Sequence, residues 1–587
     1  MLKILKYLKA TEWALIGISL IFIVTQVWLD LKLPDYMAEI TTLVQTPGSA
    51  ISEIWLTGSY MIVCALGSLA AAIIVGYFAS RIGASFSQRI RSLLFNKVES
   101  FSMEEINRFS TSSLITRSTN DITQVQMLIV IALQLVIKAP IMAVWAVTKI
   151  VGKGFEWSIA TVVAVLVVLL LVAVLMVFVI PKFKKMQILT DDVTRVTREN
   201  LTGLRVVRAY NAEDYQETKF EAANEALTDT QMFTNRAMAM LMPVLMAMLN
   251  GLSLAIYWIG AYLIDAAQMV DKLPVFTNMV VFSNYAMQVI MAFMLLVIIF
   301  IMLPRASVSA QRINEVLDTK PSIVDGKETA GKPGLKGVVT FSNVSFKYPD
   351  AAGYVLENVS FTAKQGETVA FIGSTGSGKS TLVNLIPRFF DVTDGEVLVD
   401  GVNVKDYQLE TLYNKIGYVP QKAVLFKGTV ESNVAFGDNG GGKFSIDEVK
   451  TAIHIAQGTD FVEKMENSYE ASISQGGTNV SGGQKQRLAI ARAICRKPEI
   501  YIFDDSFSAL DYKTDHVLRR ELKQELTGVT NIIVAQRIGT IMDADQIIVL
   551  DDGKIVGKGT HKELLRECAV YKEIAMSQLS EEELNNE

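Results

Sequence analysis

The sequence is poor in the residue types that build disulfide frameworks, metal sites and soluble surfaces. Its 587 residues include three histidines and three cysteines, and Cys64, Cys495 and Cys568 lie far apart. This odd number and wide spacing predict neither a disulfide framework nor a metal site. Only 20% of the residues are charged, and the formal net charge of -5 is too small to indicate a nucleic acid partner. Half of the residues are hydrophobic, which is too many for a soluble protein of this size.

The hydrophobic residues are concentrated in the first half of the chain, in runs long enough to cross a bilayer, for which ~20 residues suffice. We expect the first run to be a membrane span and not a cleavable signal peptide, because it is followed by five further runs and by no small-residue cleavage site. Residues 1–13 alternate lysine with leucine and predict a helix along the membrane surface, with a merely polar leader as the alternative. The six runs are 13–32, 54–79, 127–150, 157–180, 238–264 and 275–303.

The basic residues predict the orientation of these spans. The loops 81–126 and 182–236 carry many lysines and arginines, whereas the loop 33–53 carries none. Basic loops stay in the cytoplasm, so we expect a multi-pass protein of the cell membrane with its amino terminus and everything after residue 304 inside. The two basic loops are long and helical in pattern, which predicts that the membrane helices continue below the bilayer.

The second half of the chain has a different pattern. Residues 304–337 are polar, with proline and glycine towards the end, which predicts a linker. Beyond it, strand-like runs alternate with helical stretches, as in an α/β domain around a mostly parallel sheet. The predicted domains are therefore an α-helical six-span transmembrane domain (1–303), a linker (304–337) and an α/β domain (338–587).

A glycine-rich phosphate-binding loop is the sharpest signal in the second domain. The segment GSTGSGKS follows the strand-like run ETVAFI and opens the helix-like run TLVNLI. Its glycines let successive backbone amides face a phosphate, Lys379 supplies charge to the β- and γ-phosphates, and the Ser380 hydroxyl suits Mg²⁺. The sequence thus predicts ATP and Mg²⁺ as cofactors. The residues predicted to bind ATP here are Gly373, Ser374, Thr375, Gly376, Ser377, Gly378, Lys379, Ser380 and Thr381.

Two further motifs complete the pattern. Asp504 ends the apolar run IYIFD, and a carboxylate in that position holds Mg²⁺ in phosphate-loop ATPases. Between it and the loop stands Ser481-Gly482-Gly483-Gln484, followed by KQRLAIARA. This segment resembles the signature of the ATP-binding-cassette (ABC) family, and the order of a membrane domain before a cassette resembles the exporters of that family.

The resemblance implies roles for several residues. In that family two cassettes face each other head to tail, so the signature of one chain closes over the ATP of the other; Ser481 and the amides at a helix N-terminus suit a γ-phosphate. Tyr348 would stack on adenine, and Gln421 would touch Mg²⁺ or the attacking water. Residues 508–511 resemble the loop that passes between the two sites. The stretches 101–109 and 204–215 resemble coupling helices that dock near Gln421, with plain solvated helices as the alternative.

Two positions depart from the family pattern, both at the reacting end of the site. The family usually has a glutamate where this chain has Asp505, whose carboxylate is shorter in reach by ~1.5 Å. Misplacement of that order can cost ~100-fold in rate. The family usually has a histidine at Gln536, and a glutamine can donate a hydrogen bond but cannot become a cation. The alternative is that both changes are neutral and the site still turns over.

The phosphate loop, Asp504, Tyr348 and the signature keep the family pattern, and only the two positions at the reacting end depart from it. This combination resembles the degenerate-site subunit of bacterial heterodimeric multidrug exporters. The partner would be a second ABC half-transporter that carries the glutamate and histidine, and this chain would give its signature to the partner's active site. The expected function is ATP-driven export of amphipathic or drug-like compounds. The alternatives are a lipid or peptide exporter, a self-sufficient homodimer that uses Asp505 as a slow base, and a regulatory subunit. Six spans exclude a soluble cassette ATPase that acts on nucleic acid.

Substrate contacts are the part on which the sequence says least. The fifth and sixth spans are rich in methionine and include Asn284, Tyr285 and Gln288. Methionine is deformable and suits a pocket for many apolar shapes, although such a stripe more often serves packing or lipid contact than a drug site. Lys138 is an ionisable group in an apolar run, which makes it a functional candidate or a structural residue at the headgroup level.

Overall fold

The structure is a computed structural model that describes residues 2–46, 48–151, 153–349, 351–525 and 527–579. The described chain divides into two compact units. The first contains the residues up to Glu99 and Thr111–Thr319, and the second contains Ser100–Ser110 and the residues from Lys320 onward. The chain therefore enters the second unit twice: once for an eleven-residue excursion between two membrane helices, and once for the large domain that follows.

The first unit is helical. Six of its helices are long and apolar enough to cross a membrane, which confirms the predicted six-span fold. Several run far beyond the ~20 residues that a bilayer requires, as the basic loops predicted. The helices are α1 (Leu2–Leu5), α2 (Ala10–Gln45), α3 (Ile51–Glu99), α5 (Thr111–Ile150), α6 (Phe155–Thr202), α7 (Leu204–Ala209), α8 (Glu213–Ala266) and α9 (Lys272–Asp318), with α4 (Met103–Phe109) belonging to the second unit.

Within this unit α2 packs along α3, α6 packs along α8, and α9 packs against α5. Buried residues of α2, α5, α6, α8 and α9 form an apolar cluster that includes Leu31, Ala146, Trp157, Ile256 and Tyr285. Helix α5 is interrupted by two short π-helical segments, Arg117–Asp121 and Ala132–Val136. Insertions of this kind are frequent at functional sites, because they turn the following side chains away from the regular helical face.

The polar segment after the sixth span is divided between the two units. Residues 304–318 continue α9, whereas the sequence analysis begins the linker at residue 304. Ala306, Ala310, Ile313 and Val316 are buried at helical spacing, so a narrow apolar stripe stabilises these turns although the segment is polar overall. Irregular backbone begins at Thr319, and the chain from Lys320 belongs to the second unit.

The second unit is built on three sheets. A six-stranded sheet in the order β12-β11-β3-β10-β9-β6 is parallel except for β12, a four-stranded antiparallel sheet has the order β2-β1-β4-β5, and β7 pairs with β8. The strands are β1 (Val339–Phe346), β2 (Leu356–Ala363), β3 (Thr368–Gly373), β4 (Asp394–Val399), β5 (Val402–Asn403), β6 (Ile416–Val419), β7 (Gly428–Thr429), β8 (Ser472–Ile473), β9 (Ile500–Asp504), β10 (Thr530–Val534), β11 (Gln546–Asp551) and β12 (Lys554–Gly559).

Both faces of the parallel sheet are covered, so every residue of β9 and most residues of β3 and β10 are buried. In β9, Ile500 and Ile502 belong to one apolar core and Tyr501 and Phe503 to the other, so the continuous apolar run is explained by burial on two sides. The helices are α10 (Lys379–Leu385), α11 (Leu409–Asn414), α12 (Val430–Val434), α13 (Ile446–Ile455), α14 (Thr459–Val462), α15 (Gly482–Cys495), α16 (Tyr512–Glu525), α17 (His561–Glu567) and α18 (Ala569–Gln578).

Candidate nucleotide site

The candidate site lies at the carboxyl edge of the parallel sheet. Strands β3, β10, β9 and β6 are neighbours in that order. Gly373 is the last residue of β3, and the segments that follow β10, β9 and β6 carry Gln536, Asp505 and Gln421, respectively. Ligands bind at this edge in open α/β sheets, because the loops after parallel strands converge there. Strand order therefore gathers residues that are far apart in the sequence.

The phosphate loop joins β3 to α10 through a backbone that requires glycine. Gly376 and Gly378 have φ angles of 89° and 94°, in the left-handed region. A Cβ on Gly373 would lie 1.9 Å from the Leu550 carbonyl oxygen, and one on Gly378 would lie 2.8 Å from the Leu356 side chain. Ser377 is buried beneath the loop, whereas Ser374, Thr375 and Gly376 form its exposed rim. The loop thus has the curled shape in which amides face a phosphate.

Lys379 lies against this loop. Its Nζ donates to the carbonyl oxygens of Gly373 and Ser374 at 2.9 and 2.7 Å, and to the Ser377 Oγ at 3.3 Å. Burial lowers the pKa of Lys379, while the nearby carboxylates of Asp505 and Asp504 oppose this shift. The ammonium group is therefore preorganised beside the loop in a setting that favours an added anion such as a phosphate.

Ser380 and Asp504 form the part of the site that suits a magnesium ion. The Ser380 Oγ donates to Asp504 Oδ1 at 2.8 Å, and Asp504 is buried. Burial raises the pKa of Asp504, the Ser380 hydrogen bond opposes this, and the adjacent Asp505 adds to it. A hydroxyl and a carboxylate beside a phosphate loop are the oxygen donors that Mg²⁺ uses together with nucleotide phosphates. These residues fit the ion, which would supply charge neutralisation when bound.

Asp505 is held by the side-chain amides of Gln421 and Gln536, the two other residues predicted to act at the reacting end of the site. Its Oδ2 accepts hydrogen bonds from Gln536 Nε2 at 2.7 Å and from Gln421 Nε2 at 3.1 Å. Its backbone is left-handed, with φ 47°, and its N–H donates to the Val534 carbonyl oxygen at 3.0 Å. The Ser508 hydroxyl donates to the Asp505 carbonyl oxygen at 2.9 Å. The structure thus brings the three predicted catalytic positions into one hydrogen-bonded cluster.

Tyr348 lies at the start of the segment that separates β1 from β2. Its ring packs edge-on against Phe346 and Phe390, with centroid distances of 4.9 and 5.3 Å. Its hydroxyl lies 3.1 Å from the Oγ1 of Thr381, the last residue of the predicted phosphate-loop set. The ring is therefore fixed next to the loop, in a position compatible with its predicted contact to adenine.

The signature segment caps α15. The Ser481 N–H donates to Gln484 Oε1 at 2.9 Å and the Gln484 N–H donates to Ser481 Oγ at 3.3 Å, which is a capping box. A Cβ on Gly482 would meet nothing within 4 Å, and one on Gly483 would lie 3.3 Å from the Ala509 carbonyl oxygen. In the described chain the side-chain hydrogen bonds of this segment stay within it, and none reaches the phosphate loop.

Two lysines of the membrane unit form ion pairs inside it. Lys138 Nζ lies 3.1 Å from Asp30 Oδ2, and Lys149 Nζ lies 2.7 Å from Asp35 Oδ2. Tyr285 is buried and donates its hydroxyl to Asp35 and to the Leu31 carbonyl oxygen. Lys138, a candidate for function in the sequence analysis, thus joins α5 to α2. The methionines of α8 differ from this buried set, since Met240, Met242 and Met246 are exposed.

Both predicted coupling segments contain a short helix. The first is α4, in the second unit, and the second is α7, in the first unit. Around α7, Val206 and Tyr210 are 60% and 79% exposed. In the second unit, the segment after Gln421 exposes the stacked rings of Phe426 and Phe436, whose centroids are 4.5 Å apart. Each unit therefore presents an apolar surface of the kind that docks a partner element.

Sequence reasoning missed several polar residues that the structure places at contacts. Asp30 and Asp35 sit at the end of an apolar run, and that position was the signal that could have marked them. The Gln486 Nε2 donates to the Pro420 carbonyl oxygen at 3.2 Å and so ties the signature helix to the Gln421 segment. Glu105 forms hydrogen bonds with Ser322 across 217 positions, a pairing that no local pattern indicates.

Comparison with known proteins agrees with this architecture. The family models described as ABC transporter transmembrane region and ABC transporter match residues 16–293 and 356–508. An ABC transporter ATP-binding protein of Mycobacterium tuberculosis is 41% identical over 88% of this chain and 87% of that protein. An ATP-dependent lipid A-core flippase of Pseudomonas fluorescens is 32% identical over 78% of this chain and 74% of the flippase. The structure of a bacterial Atm1-family ABC exporter with ATP bound matches 97% of this chain and 100% of that chain, with a TM-score of 0.82 and 23% identity. The family models and these relatives match the chain along most of its length, which shows that it belongs to the ABC transporter family, as a half-transporter with one membrane domain and one nucleotide-binding domain in the fold of an ABC exporter.

Proposed function

We propose that this half-transporter works in a heterodimer that exports amphipathic, drug-like compounds, and that its own ATP site binds ATP but hydrolyses it slowly. ATP-driven transport follows from the family to which the chain belongs. The proposal adds three points to this: the pairing with a different chain, the slow hydrolysis at this chain's own site, and the class of substrate. With the basic loops inside, the nucleotide-binding domain would act from the cytoplasm of a bacterial cell.

The observation that carries this proposal is the environment of the Asp505 carboxylate. One of its oxygens accepts two amide N–H groups, from Gln421 and Gln536. A glutamine side chain cannot take up or share a proton, so neither neighbour can assist the removal of a proton from water. The shorter reach of the aspartate adds a misplacement that costs on the order of 100-fold in rate. The site therefore keeps the residues that bind ATP, whereas the usual glutamate and histidine of the family, which would assist proton transfer, are replaced by Asp505 and Gln536.

The preserved parts of the site support binding without rapid turnover. The curled loop, the Lys379 ammonium group and the Ser380–Asp504 pair would still hold ATP and Mg²⁺. The signature segment is intact and makes its side-chain hydrogen bonds only within itself, so it remains available to an ATP on another chain. A bound nucleotide at the slow site would stabilise the paired cassettes, and hydrolysis at the partner's site would reset them.

The exposed apolar surfaces support a two-chain transporter. We expect the α7 segment, with Val206 and Tyr210, to dock against the partner's cassette beside the residue equivalent to Gln421. Phe426 and Phe436 of this chain would receive the matching segment of the partner. Closure of the cassettes would then move the membrane helices as largely rigid bodies.

The substrate assignment rests on the membrane unit. Exposed methionines on α8 provide deformable apolar contacts, and the charged residues Asp30, Asp35, Lys138 and Lys149 are neutralised in pairs. A surface of this kind favours molecules with a large apolar part over compact ions. The lipid A-core flippase relative makes a lipid the alternative substrate, since a lipid has the same amphipathic character.

The test is the ATPase activity of the purified chain, alone and then co-expressed with any cassette chain encoded beside it. The matched variant is Asp505→Glu, which changes the reach of one carboxylate and no charge. We expect the chain alone to be nearly inactive, the pair to be active, and amphipathic dyes to stimulate the pair. Dye transport into inside-out vesicles then distinguishes drug export from lipid export.

Brisk turnover by the chain alone, unaffected by Asp505→Glu, would refute the heterodimer and support a self-sufficient homodimeric exporter. An active pair that is stimulated by lipid but by no dye in a panel of apolar cations and neutral compounds would favour the flippase alternative. An inactive pair with intact ATP binding would favour a regulatory subunit.

A further inference from the structure

The first coupling helix, α4, is a compact element with its own stabilising contacts. Ser102 caps it, and the Ser102 N–H and hydroxyl both donate to Glu105 Oε2 at 2.7 Å. The rings of Phe101 and Phe109, at its two ends, stack with centroids 5.8 Å apart. A seven-residue helix is too short to be stable alone, so these contacts define its shape.

The second oxygen of Glu105 leaves this local pattern and binds the linker. Glu105 Oε1 accepts the Ser322 N–H at 2.9 Å, and the hydroxyls of Ser102 and Ser322 lie 2.8 Å apart. Glu105 is only 4% exposed, so its carboxylate is enclosed between the helix cap and the linker. Burial favours the neutral form, but the hydrogen bonds from Ser102 and Ser322 outweigh it, and the pKa of Glu105 lies below its usual value. The acceptor is thus ionised at neutral pH.

The linker beyond Ser322 is joined at once to the nucleotide-binding core. The Val324 carbonyl oxygen accepts from Arg388 Nη1 at 3.0 Å, and Leu409 N–H donates to Asp325 Oδ1 at 2.6 Å. Arg388 is 5% exposed and follows α10, the helix that opens at Lys379 of the phosphate loop. A continuous set of contacts therefore runs from α4 through Ser322 and Arg388 to the helix that carries the ATP site.

Matching contacts hold the same two chain segments together within the first unit. Arg117, seven residues after Ser110, donates through Nη1 to the Arg312 carbonyl oxygen at 2.9 Å and to Glu315 Oε2 at 2.7 Å. Asp121 Oδ1 accepts from the Ser309 hydroxyl at 2.7 Å. The start of α5 is thus bonded to the end of α9, just before the linker begins.

We propose that Glu105 is a positioning residue that fastens the coupling helix α4 to the chain's own linker through Ser322, so that the two move as one body during transport. A displacement of the nucleotide-binding core would then reach α3 and α5 through α4 at the same time as it reaches α9 through the covalent linker. The role depends on ATP-driven transport and not on the heterodimer or on the identity of the substrate.

The test is hydrogen exchange of the full transporter in lipid nanodiscs, comparing Glu105→Gln with the matched control Glu104→Gln. Loss of a charge-assisted hydrogen bond is expected to speed local opening about tenfold. In Glu105→Gln both the 101–110 and the 320–326 peptides should exchange faster, whereas Glu104→Gln should match the parent. Acceleration confined to residues 101–110 would overturn the proposal, because Glu105 would then be a helix cap only. Unchanged exchange in both peptides would also overturn it.

The functional readout is the ratio of Hoechst 33342 transport to ATP hydrolysis. We expect Glu105→Gln to lower this ratio about fivefold while hydrolysis stays within about twofold, and Glu104→Gln to leave it unchanged. An unchanged ratio in Glu105→Gln would contradict the positioning role. A parent complex that does not transport the dye would refute drug export, and the exchange result would still decide on joint movement.

A cross-link gives an independent test that keeps Glu105 in place. The cysteine pair Ser102→Cys and Ser322→Cys replaces two hydroxyls in contact, and the natural cysteines are buried. If α4 and the linker move together, the oxidised pair should hydrolyse ATP at the parent rate, within about twofold. Loss of activity on oxidation that is restored by reduction would show that the two must separate, and would overturn the proposal.

Discussion

Among single residues, Asp505 and its two amide neighbours decide the chemistry of the site. A left-handed backbone turns Asp505 towards Gln421 and Gln536, and both amides meet the same carboxylate oxygen. Groups that act as a unit in catalysis are strongly non-additive, so restoring one of them does not restore the reaction. We therefore expect ATP hydrolysis to recover only when the family residues are restored at both Asp505 and Gln536.

We predict that Asp505→Glu combined with Gln536→His raises hydrolysis at this site at least tenfold, and that each single change raises it much less. The measurement is ATPase activity of the pair in a background where the partner's catalytic glutamate is replaced by glutamine. Turnover in that background arises from this site. Equal gains from the double variant and either single variant would show that the two positions do not cooperate.

The raised pKa of Asp504 predicts how magnesium-dependent binding responds to acid. Protons and Mg²⁺ compete for the same carboxylate, so affinity for MgATP should fall as the pH is lowered, beginning at a higher pH than for an ordinary aspartate. Equilibrium binding of a fluorescent ATP analogue, with and without Mg²⁺, measures this between about pH 8 and pH 5.5. The control is Asp504→Asn, which should remove the magnesium-dependent part of the pH profile. A profile unchanged by this substitution would assign the proton elsewhere.

How far the sequence predicts the site depends on distance along the chain. The phosphate loop and Ser380 are consecutive, so spacing alone identifies them. Gln421 and Gln536 lie 84 and 31 positions from Asp505, and their convergence depends on β9 lying between β6 and β10, an order that the sequence does not contain. Gln421 and Gln536 were identified from the resemblance to the ABC family. Their hydrogen bonds to Asp505 could be seen only in the folded sheet.

At the scale of helices and strands, hydropathy predicted the six membrane-spanning helices but not which of them pack against one another. Apolar runs predict that a helix crosses the membrane, and they carry no information about which helix it meets. Lys138 therefore remained ambiguous until the structure paired it with Asp30 of α2. The turns of α9 after residue 303 were missed for a related reason, because the buried stripe from Ala306 to Val316 is narrow and the other residues are polar.

We predict that Lys138→Met destabilises the membrane unit, on the order of 3 kcal/mol, because it leaves the Asp30 carboxylate without its cation. The double variant Lys138→Met with Asp30→Asn should recover most of that loss. Thermal unfolding of the purified chain in nanodiscs measures both. If the single variant unfolds at the same temperature as the parent, the Lys138–Asp30 pair contributes nothing to stability. That result would favour a functional role for Lys138.

For the whole molecule, the signature and the phosphate loop of one chain are expected to serve different sites. Head-to-tail cassettes place Ser481 over the partner's ATP, whereas Lys379 serves the chain's own ATP. The two halves of one cassette therefore affect different reactions in a heterodimer. A pair of variants in the same chain can separate them.

We predict that Ser481→Arg lowers ATPase activity of the pair by about 100-fold, because a long cation replaces the hydroxyl at the fast site. Lys379→Ala should leave a substantial fraction of the activity, since it removes a phosphate contact only at the slow site. Steady-state ATPase of the two variant pairs is the measurement, with ATP photolabelling of each chain as the control for binding. Equal losses from both variants would indicate two equivalent sites.

The length of the helices has a mechanical consequence. Helix α8, Glu213–Ala266, has 54 residues and is about 80 Å long at ~1.5 Å per residue, whereas the hydrocarbon core is ~30 Å thick. A rod of that length is a lever arm: a tilt of about 5° at one end displaces the other by roughly 7 Å. A rotation of a few degrees at the cytoplasmic end of α8 would thus displace its other end by several ångströms. This requires the helix to stay straight at Pro243, its one internal proline.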